Sequence, residues 1–282
     1  MRQIASCDVT HPKFQHTSAA LAQPGTFENN RMSMPPENPD VEAVLFDLYG
    51  TLIDIAVDTE PNTVWHRFSE ELSAVGLSVP PDVLRARYDD LVAVERREHG
   101  HAFVLEPKFF HKLLSAAGRP LADPLVRHFG RRLRELTTRK IEMRPYTVPL
   151  LTTLQRSGCR VGLVSNTEEI VTEHDLEKLR LKDHFDTVVL SSSVGVKKPD
   201  PGIFQIALRR LGVSARNTLF VGDDHIADFE GARKAGLTPI LLCPCGHQPP
   251  VRCTKASLKR ILGALRRYGW RSGQLAPTLQ WA

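Results

Sequence analysis

Several apolar runs in this 282-residue chain stop abruptly in residues able to do polar chemistry. Val44-Leu45-Phe46 runs into Asp47-Leu48-Tyr49-Gly50-Thr51, and Gly162-Leu163-Val164 into Ser165-Asn166. Leu219-Phe220-Val221 runs into Gly222-Asp223-Asp224, with Asp228 just beyond. Lys197-Lys198-Pro199-Asp200 lies between the second and third of these. An unpaired carboxylate is costly to bury, so Asp47 has to stand at the end of its run, in water, against cations or on a metal. Together these residues offer carboxylates for a hard cation, a hydroxyl donor, an amine to meet negative charge and a nucleophile.

Such residues need a scaffold that delivers strand ends to one place. Ala43 to Leu48 is β-branched or large and apolar apart from Asp47, as in a parallel strand buried on both faces. Further strands are expected over Arg160 to Val164, Thr187 to Leu190, Thr218 to Val221 and Pro239 to Leu242. Helical patterns lie between them at Val148 to Arg156, Glu168 to Leu179, Pro201 to Leu211 and Asp228 to Ala235. Alternation of this kind predicts an α/β fold: a three-layer, Rossmann-like parallel sheet whose carboxyl edge forms the ligand crevice.

The stretch from about Thr59 to Lys140 instead reads as helix after helix. Val64, Phe68 and Leu72 share one stripe, and Leu125, Phe129 and Leu133 another. That is more than a single crossover, so an all-helical cap domain is expected over 55–140, inserted into a core of 41–54 and 141–247. Residues 1–40 have scattered polar and proline positions without periodicity and are expected to form a disordered leader. The basic segment 248–282 is expected to place Leu258, Ile261, Leu262 and Leu265 on the stripe of a helix packed on the domain's flank.

The apolar fraction of 41% and charged fraction of 24% are those of an ordinary globular protein. No apolar run is long enough to span a membrane, and the N-terminus lacks a secretory signal, so a cytoplasmic protein is expected. The net charge of +5 comes from the C-terminal segment, which carries seven basic residues and no acidic one. The rest is slightly acidic, so no nucleic acid partner is expected. The five cysteines are read as reduced thiols. A monomer or homodimer is expected.

The motifs together resemble the haloacid dehalogenase superfamily. Asp47-Leu48-Tyr49-Gly50-Thr51-Leu52 is similar to its first motif and Leu163-Val164-Ser165-Asn166 to its second. Gly195-Val196-Lys197-Lys198-Pro199-Asp200-Pro201 resembles the third, and Val221-Gly222-Asp223-Asp224-His225-Ile226-Ala227-Asp228 the fourth. The resemblance spans roughly Val41 to Cys243 and implies a role for each residue. Asp47 would be the nucleophile of a covalent aspartyl intermediate. Ser165 and Lys198 would hold the transferring group's oxygens, with Gly50, Thr51 and Asn166 completing the substrate-binding set. Mg²⁺ would be bound by Asp47, the backbone carbonyl of Tyr49 and Asp223. Asp228 would stand at the site's edge on a metal-bound water or on Lys198. The implied activity is hydrolysis of a small phosphorylated metabolite.

One position departs from the pattern. The superfamily's phosphatases usually carry a second aspartate two residues after the nucleophile, to protonate the leaving oxygen and then activate water. Here it is Tyr49, whose phenol, with an ordinary pKa near 10, is a poor acid/base group at neutral pH. Tyrosine there is typical of metal-independent 2-haloacid dehalogenases, which makes dehalogenation the alternative. Against it stand Asp223 and Asp224, the Phe204 position without a hydroxyl, and only a partial echo of the dehalogenase arginine context at Trp65-His66-Arg67-Phe68. A further alternative is a catalytically degenerate binding protein.

Overall fold

The computed structural model describes residues 41–99, 109–118, 121–243, 254–255 and 258–267. The expected leader 1–40, the cysteines Cys245 and Cys253, and the tail 268–282 lie outside them.

The core sheet contains β1 (Ala43–Phe46), β4 (Arg160–Ser165), β5 (Thr187–Leu190), β6 (Thr218–Gly222), β7 (Thr238–Cys243) and the short β8 (Thr254–Lys255), in the order β5-β4-β1-β6-β7-β8. All neighbours run parallel. Because β4 and β6 flank β1, with Phe46 level with both Leu163 and Val221, the residues that follow these three strands emerge side by side. One face packs through Val44, Phe46, Val161 and Leu163 against α5 (Thr147–Arg156) and α8 (Leu258–Arg267), where Ile261 and Leu265 are fully buried. The other packs through Leu45, Val164 and Phe220 against α7 (Pro201–Leu211). Both faces of β1 are therefore apolar, and its first polar residue is Asp47.

Between β1 and α5 the described residues make four α-helices, α1 (Asn62–Ala74), α2 (Pro81–His99), α3 (Phe109–Leu114) and α4 (Asp123–Thr137). Their stripes meet in an apolar cluster of their own, with Trp65, Phe68, Phe109 and Phe129 at its centre. Each such side chain, fully buried, contributes roughly 1.5–3 kcal/mol, enough to hold four short helices together. The helical reading of Thr59 to Lys140 misses two strands that frame it. β2 (Ile53–Val57) pairs antiparallel with β3 (Thr138–Met143), and the boundaries expected at 54/55 and 140/141 fall inside them. Ile53, Ile55 and Val57 alternate with Asp54 and Ala56, a strand signature too short to stand out beside long helices; half of β3 is charged.

The insert meets the core along α6 (Glu169–Lys178). Ile170 and Val171 join the insert's apolar cluster. Beside them, Arg127 of α4 pairs with Glu169 and Glu173 at 3.1 Å, and Arg131 with Glu177 at 3.2 Å. Exposed pairs of this kind contribute little individually. Arg134 differs, because its partner Asp175 is buried: Nη2 lies 2.6 Å and Nε 3.1 Å from Asp175 Oδ2.

No described helix is long and apolar enough to cross a membrane.

Candidate active site

Asp47 follows β1 directly, and its backbone N–H still donates to Val221 at 2.9 Å in continuation of the sheet. Its Oδ1 accepts from the Ser165 hydroxyl at 3.1 Å and from the Lys198 ammonium at 2.6 Å. The same ammonium donates to Asp228 Oδ1 at 2.6 Å, so Lys198 bridges two carboxylates. It is Lys198, next to the proline, and not Lys197 that reaches Asp47. The positioning device is Asn166: its Oδ1 accepts from the Lys198 N–H at 2.7 Å and its Nδ2 donates to the Lys198 carbonyl at 2.8 Å. Asn166, read from sequence as substrate-binding, thus has its amide committed to holding the lysine's backbone.

Asp223, after β6, is held by Thr51, whose fully buried hydroxyl donates to Oδ1 at 3.1 Å. Thr51 therefore orients a carboxylate. Gly50 is set by the same geometry: its φ is +81°, and a Cβ there would lie 2.3 Å from Asp223 Oδ2, so only glycine fits. Asp228 has both oxygens engaged, Oδ1 on Lys198 and Oδ2 on the N–H groups of Asp223 and Asp224 at 3.0 Å each. Asp224 is exposed and caps the following turn through Ile226 and Ala227.

Carboxylate oxygens of Asp47, Asp223 and Asp228 lie within 4.8 Å of one another. The three carboxylates are thus close enough for one cation to be shared among them. An all-oxygen set of this kind suits a hard ion such as Mg²⁺. The electrostatics fit the same picture. Burial raises the pKa of Asp47, the Lys198 charge opposing it and the Asp223 charge adding to it. Asp228 is pushed up to about 6, mainly by burial. Burial alone would lower Lys198, but Asp228 and Asp47 more than offset it and hold the ammonium protonated.

Tyr49 does not point its hydroxyl proton into open space. It donates to Asp175 Oδ2 at 2.8 Å and accepts from Arg134 Nη2 at 3.2 Å. Burial raises its pKa further above the ordinary phenol value, with Arg134 opposing. Neither Arg134 nor Asp175 was legible as a site residue. They stand 85 and 126 residues from Tyr49, on helices whose arginines and acids look alike in sequence. Phe204, fully buried, meets Phe220 edge to face at 5.0 Å inside the core and does not line the site.

A cavity of about 610 Å³ opens over these groups. Asp47, Ser165, Lys198 and Asp223 line its core side; Tyr88, Phe109, Phe110 and Leu133 of the insert, with Ile55 and Val57 of β2, line the other.

Glu168, which caps α6 through Ile170 and Val171 N–H groups at 2.6 and 3.3 Å, carries a pH signature. Burial pushes its carboxyl up to about 7 from 4.5, against the lowering effect of those amides. A folded-state pKa above the unfolded one means that stability is fully present below about pH 4.5 and is lost as the pH rises through about 7. Glu168→Gln removes this titration. In urea unfolding, the stability lost between about pH 5 and pH 8 is expected to shrink by on the order of 2 kcal/mol relative to wild type; an unchanged loss would rule out the assignment.

Comparison with known proteins gives the same constellation a family. A family model described as a haloacid dehalogenase-like hydrolase matches residues 41–236. A phosphoglycolate phosphatase from Xanthomonas campestris is 30% identical over 198 residues, covering 70% of this chain and 81% of its own. Among solved structures, a HAD phosphatase from Thermococcus onnurineus aligns at a TM-score of 0.56 with 23% identity, over 79% of this chain and 97% of that one. A 2-haloacid dehalogenase from Pseudomonas syringae aligns at 0.54 with 24% identity, over 81% and 99%. At such identities these two structures speak to the fold alone. The family model covers most of the chain and takes in every strand end that builds the cavity's polar side, so this protein belongs to the haloacid dehalogenase-like hydrolases and is an enzyme of hydrolysis.

Proposed function

We propose that the protein is a Mg²⁺-dependent phosphatase that acts on a small phosphorylated metabolite through an aspartyl intermediate at Asp47. The observation that carries this reading is the cluster of Asp47, Asp223 and Asp228 carboxylates, one oxygen of each within 4.8 Å of the others, beside an ammonium that is fixed by Asn166 and Asp228. The phosphatase named among its relatives supports it. Asp47 and Asp223, with the Tyr49 carbonyl, would hold Mg²⁺, whose charge offsets that of the phosphoryl oxygens.

This chain's own residues do the rest. Asp47 attacks phosphorus; its new O–P bond forms as the ester P–O bond breaks, and the leaving oxygen takes the electron pair. The Ser165 hydroxyl and the Lys198 ammonium stabilise charge on the phosphoryl oxygens as it grows. Water then attacks the aspartyl phosphate; its oxygen bonds to phosphorus as the O–P bond to Asp47 breaks, Asp47 keeps the electron pair as a carboxylate, one of the water's protons stays on the departing phosphate and the other passes to solvent. Asp228 is a positioning residue that keeps Lys198 charged and aimed.

The test is hydrolysis of p-nitrophenyl phosphate, whose leaving group needs no proton donor. Turnover is expected with Mg²⁺ and at least about 100-fold less with EDTA, consistent with a metal that neutralises phosphoryl charge. The dehalogenase reading rests on Tyr49. It is tested by halide release from 2-chloropropionate in EDTA, and metal-free release together with silence on the phosphate ester would replace the phosphatase.

A further inference from the structure

We infer that the substrate's leaving group is a phenol-type oxygen on an apolar ring, so that the preferred substrates are aryl phosphate monoesters and not phosphorylated hydroxy acids or polyols. This rests on the phosphatase reading and goes beyond it to the substrate class. Two features of the cavity carry it, one bearing on binding and one on chemistry.

The first is the wall that faces the phosphoryl site. Tyr88, Phe109, Phe110 and Leu133 of the insert and Ile55 and Val57 of β2 line it. The cations among the described lining residues are Lys198 and Arg134. Lys198 is held on the core side between Asp47 and Asp228. Arg134 is matched by the buried carboxylate of Asp175, which takes its Nη2 at 2.6 Å and its Nε at 3.1 Å. Thr59 and Thr137 add hydroxyls to this side of the cavity but no charge. A carboxylate or second phosphate on the leaving group would therefore face a guanidinium already paired with Asp175, and would lose hydration without gaining an unpaired counter-charge. A ring loses nothing there and gains contact with aromatic faces. A cavity of about 610 Å³ has room for a ring-bearing group, within the usual span of small-molecule sites.

The second is the missing acid. The only hydroxyl at the position where a carboxylic acid is expected is that of Tyr49, and its proton is donated to Asp175 at 2.8 Å. With no acid at that position, the leaving oxygen departs as an anion: the P–O bond breaks, the oxygen keeps the electron pair, and solvent protonates it afterwards. Phenols ionise near pH 10, as tyrosine does. That is about six pKa units below bulk water, and alkoxides are comparably poor leaving groups. The wall and the lost acid thus select the same chemical class.

The experiment uses the full chain with Mg²⁺ and a set of esters: p-nitrophenyl, phenyl and 1-naphthyl phosphate against glycerol 3-phosphate and phosphoglycolate. We expect kcat/KM for the aryl esters to exceed that for the two polar alkyl esters by at least about 100-fold. 1-Naphthyl phosphate, whose phenol pKa is close to that of phenol, should show a KM several-fold below that of phenyl phosphate, because only ring size differs. Across substituted phenyl phosphates, log kcat/KM should fall steeply as the phenol's pKa rises. Equal or better turnover of phosphoglycolate or glycerol 3-phosphate overturns the inference and leaves the phosphatase reading intact. Silence on every ester, p-nitrophenyl phosphate included, overturns both. A flat dependence on leaving-group pKa overturns the chemical half even if naphthyl binds well.

Discussion

Asp47→Asn is expected to lower kcat by at least about 10⁴-fold while leaving the fold in place. The amide is nearly isosteric, but its oxygen cannot form the aspartyl bond to the transferring group, and losing a nucleophile removes the covalent route rather than weakening it. Folding should survive for a reason visible in the site. Lys198 keeps Asp228 as a counter-ion at 2.6 Å, so the substitution leaves no buried charge unpaired. The measurement is steady-state hydrolysis of p-nitrophenyl phosphate alongside thermal unfolding. A drop of 10-fold or less, with Tm close to wild type, would remove Asp47 from the chemistry. If instead the wild type is equally inert and the substitution leaves the protein's biological role unchanged, a catalytically degenerate binding protein is the better account.

Lys198→Met should strike both activity and stability, and the two losses should separate. The ammonium lies between Asp47 and Asp228, all three buried. Removing it leaves two carboxylates facing each other without a cation. Breaking a buried pair by taking away one partner costs about 3–5 kcal/mol, part of which is relieved as one carboxyl takes up a proton. Activity should fall by roughly 10³-fold, the scale for removing one preorganised stabiliser of transition-state charge. The double variant Lys198→Met/Asp228→Asn should regain much of the stability, since one carboxylate is now neutral, yet none of the activity. If the double variant recovers turnover, Lys198 acts only through Asp228 and not on the substrate. Unchanged unfolding free energy in the single variant would show that the bridge contributes nothing to the fold.

Much of the framework was legible in the order of residues. β-branched and large apolar runs of four to six residues, separated by helical stripes, are local patterns, and they specify a doubly covered parallel sheet because only that arrangement buries such strands on both faces. The strand order, which places β1 between β4 and β6, is seen only in the structure, and it delivers Asp47, Ser165 and Asp223 to one edge. Lys198 rather than Lys197 is what the family resemblance implies, since that family places its lysine immediately before the proline.

Tertiary structure alone decided who holds whom. Asn166 and Thr51 carry polar groups that from sequence could meet a substrate; the fold commits one to the backbone of Lys198 and the other to Asp223. Asp228, a candidate for the metal, also accepts from two backbone amides and from Lys198, partners its place in the chain does not announce. The pairing of β2 with β3 joins segments more than eighty residues apart, and its pairing partners are chosen by chain closure, not by either segment's own pattern. The fate of Tyr49 is the clearest instance. Its type announced a lost acid, but that its proton belongs to Asp175, and that Asp175 in turn neutralises Arg134, follows from helices brought together by an apolar cluster that no single stretch encodes. Periodicity and turn chemistry act over a few residues and can be read in order. Hydrogen-bond partners are settled by which surfaces burial forces together, and that is a property of the folded chain.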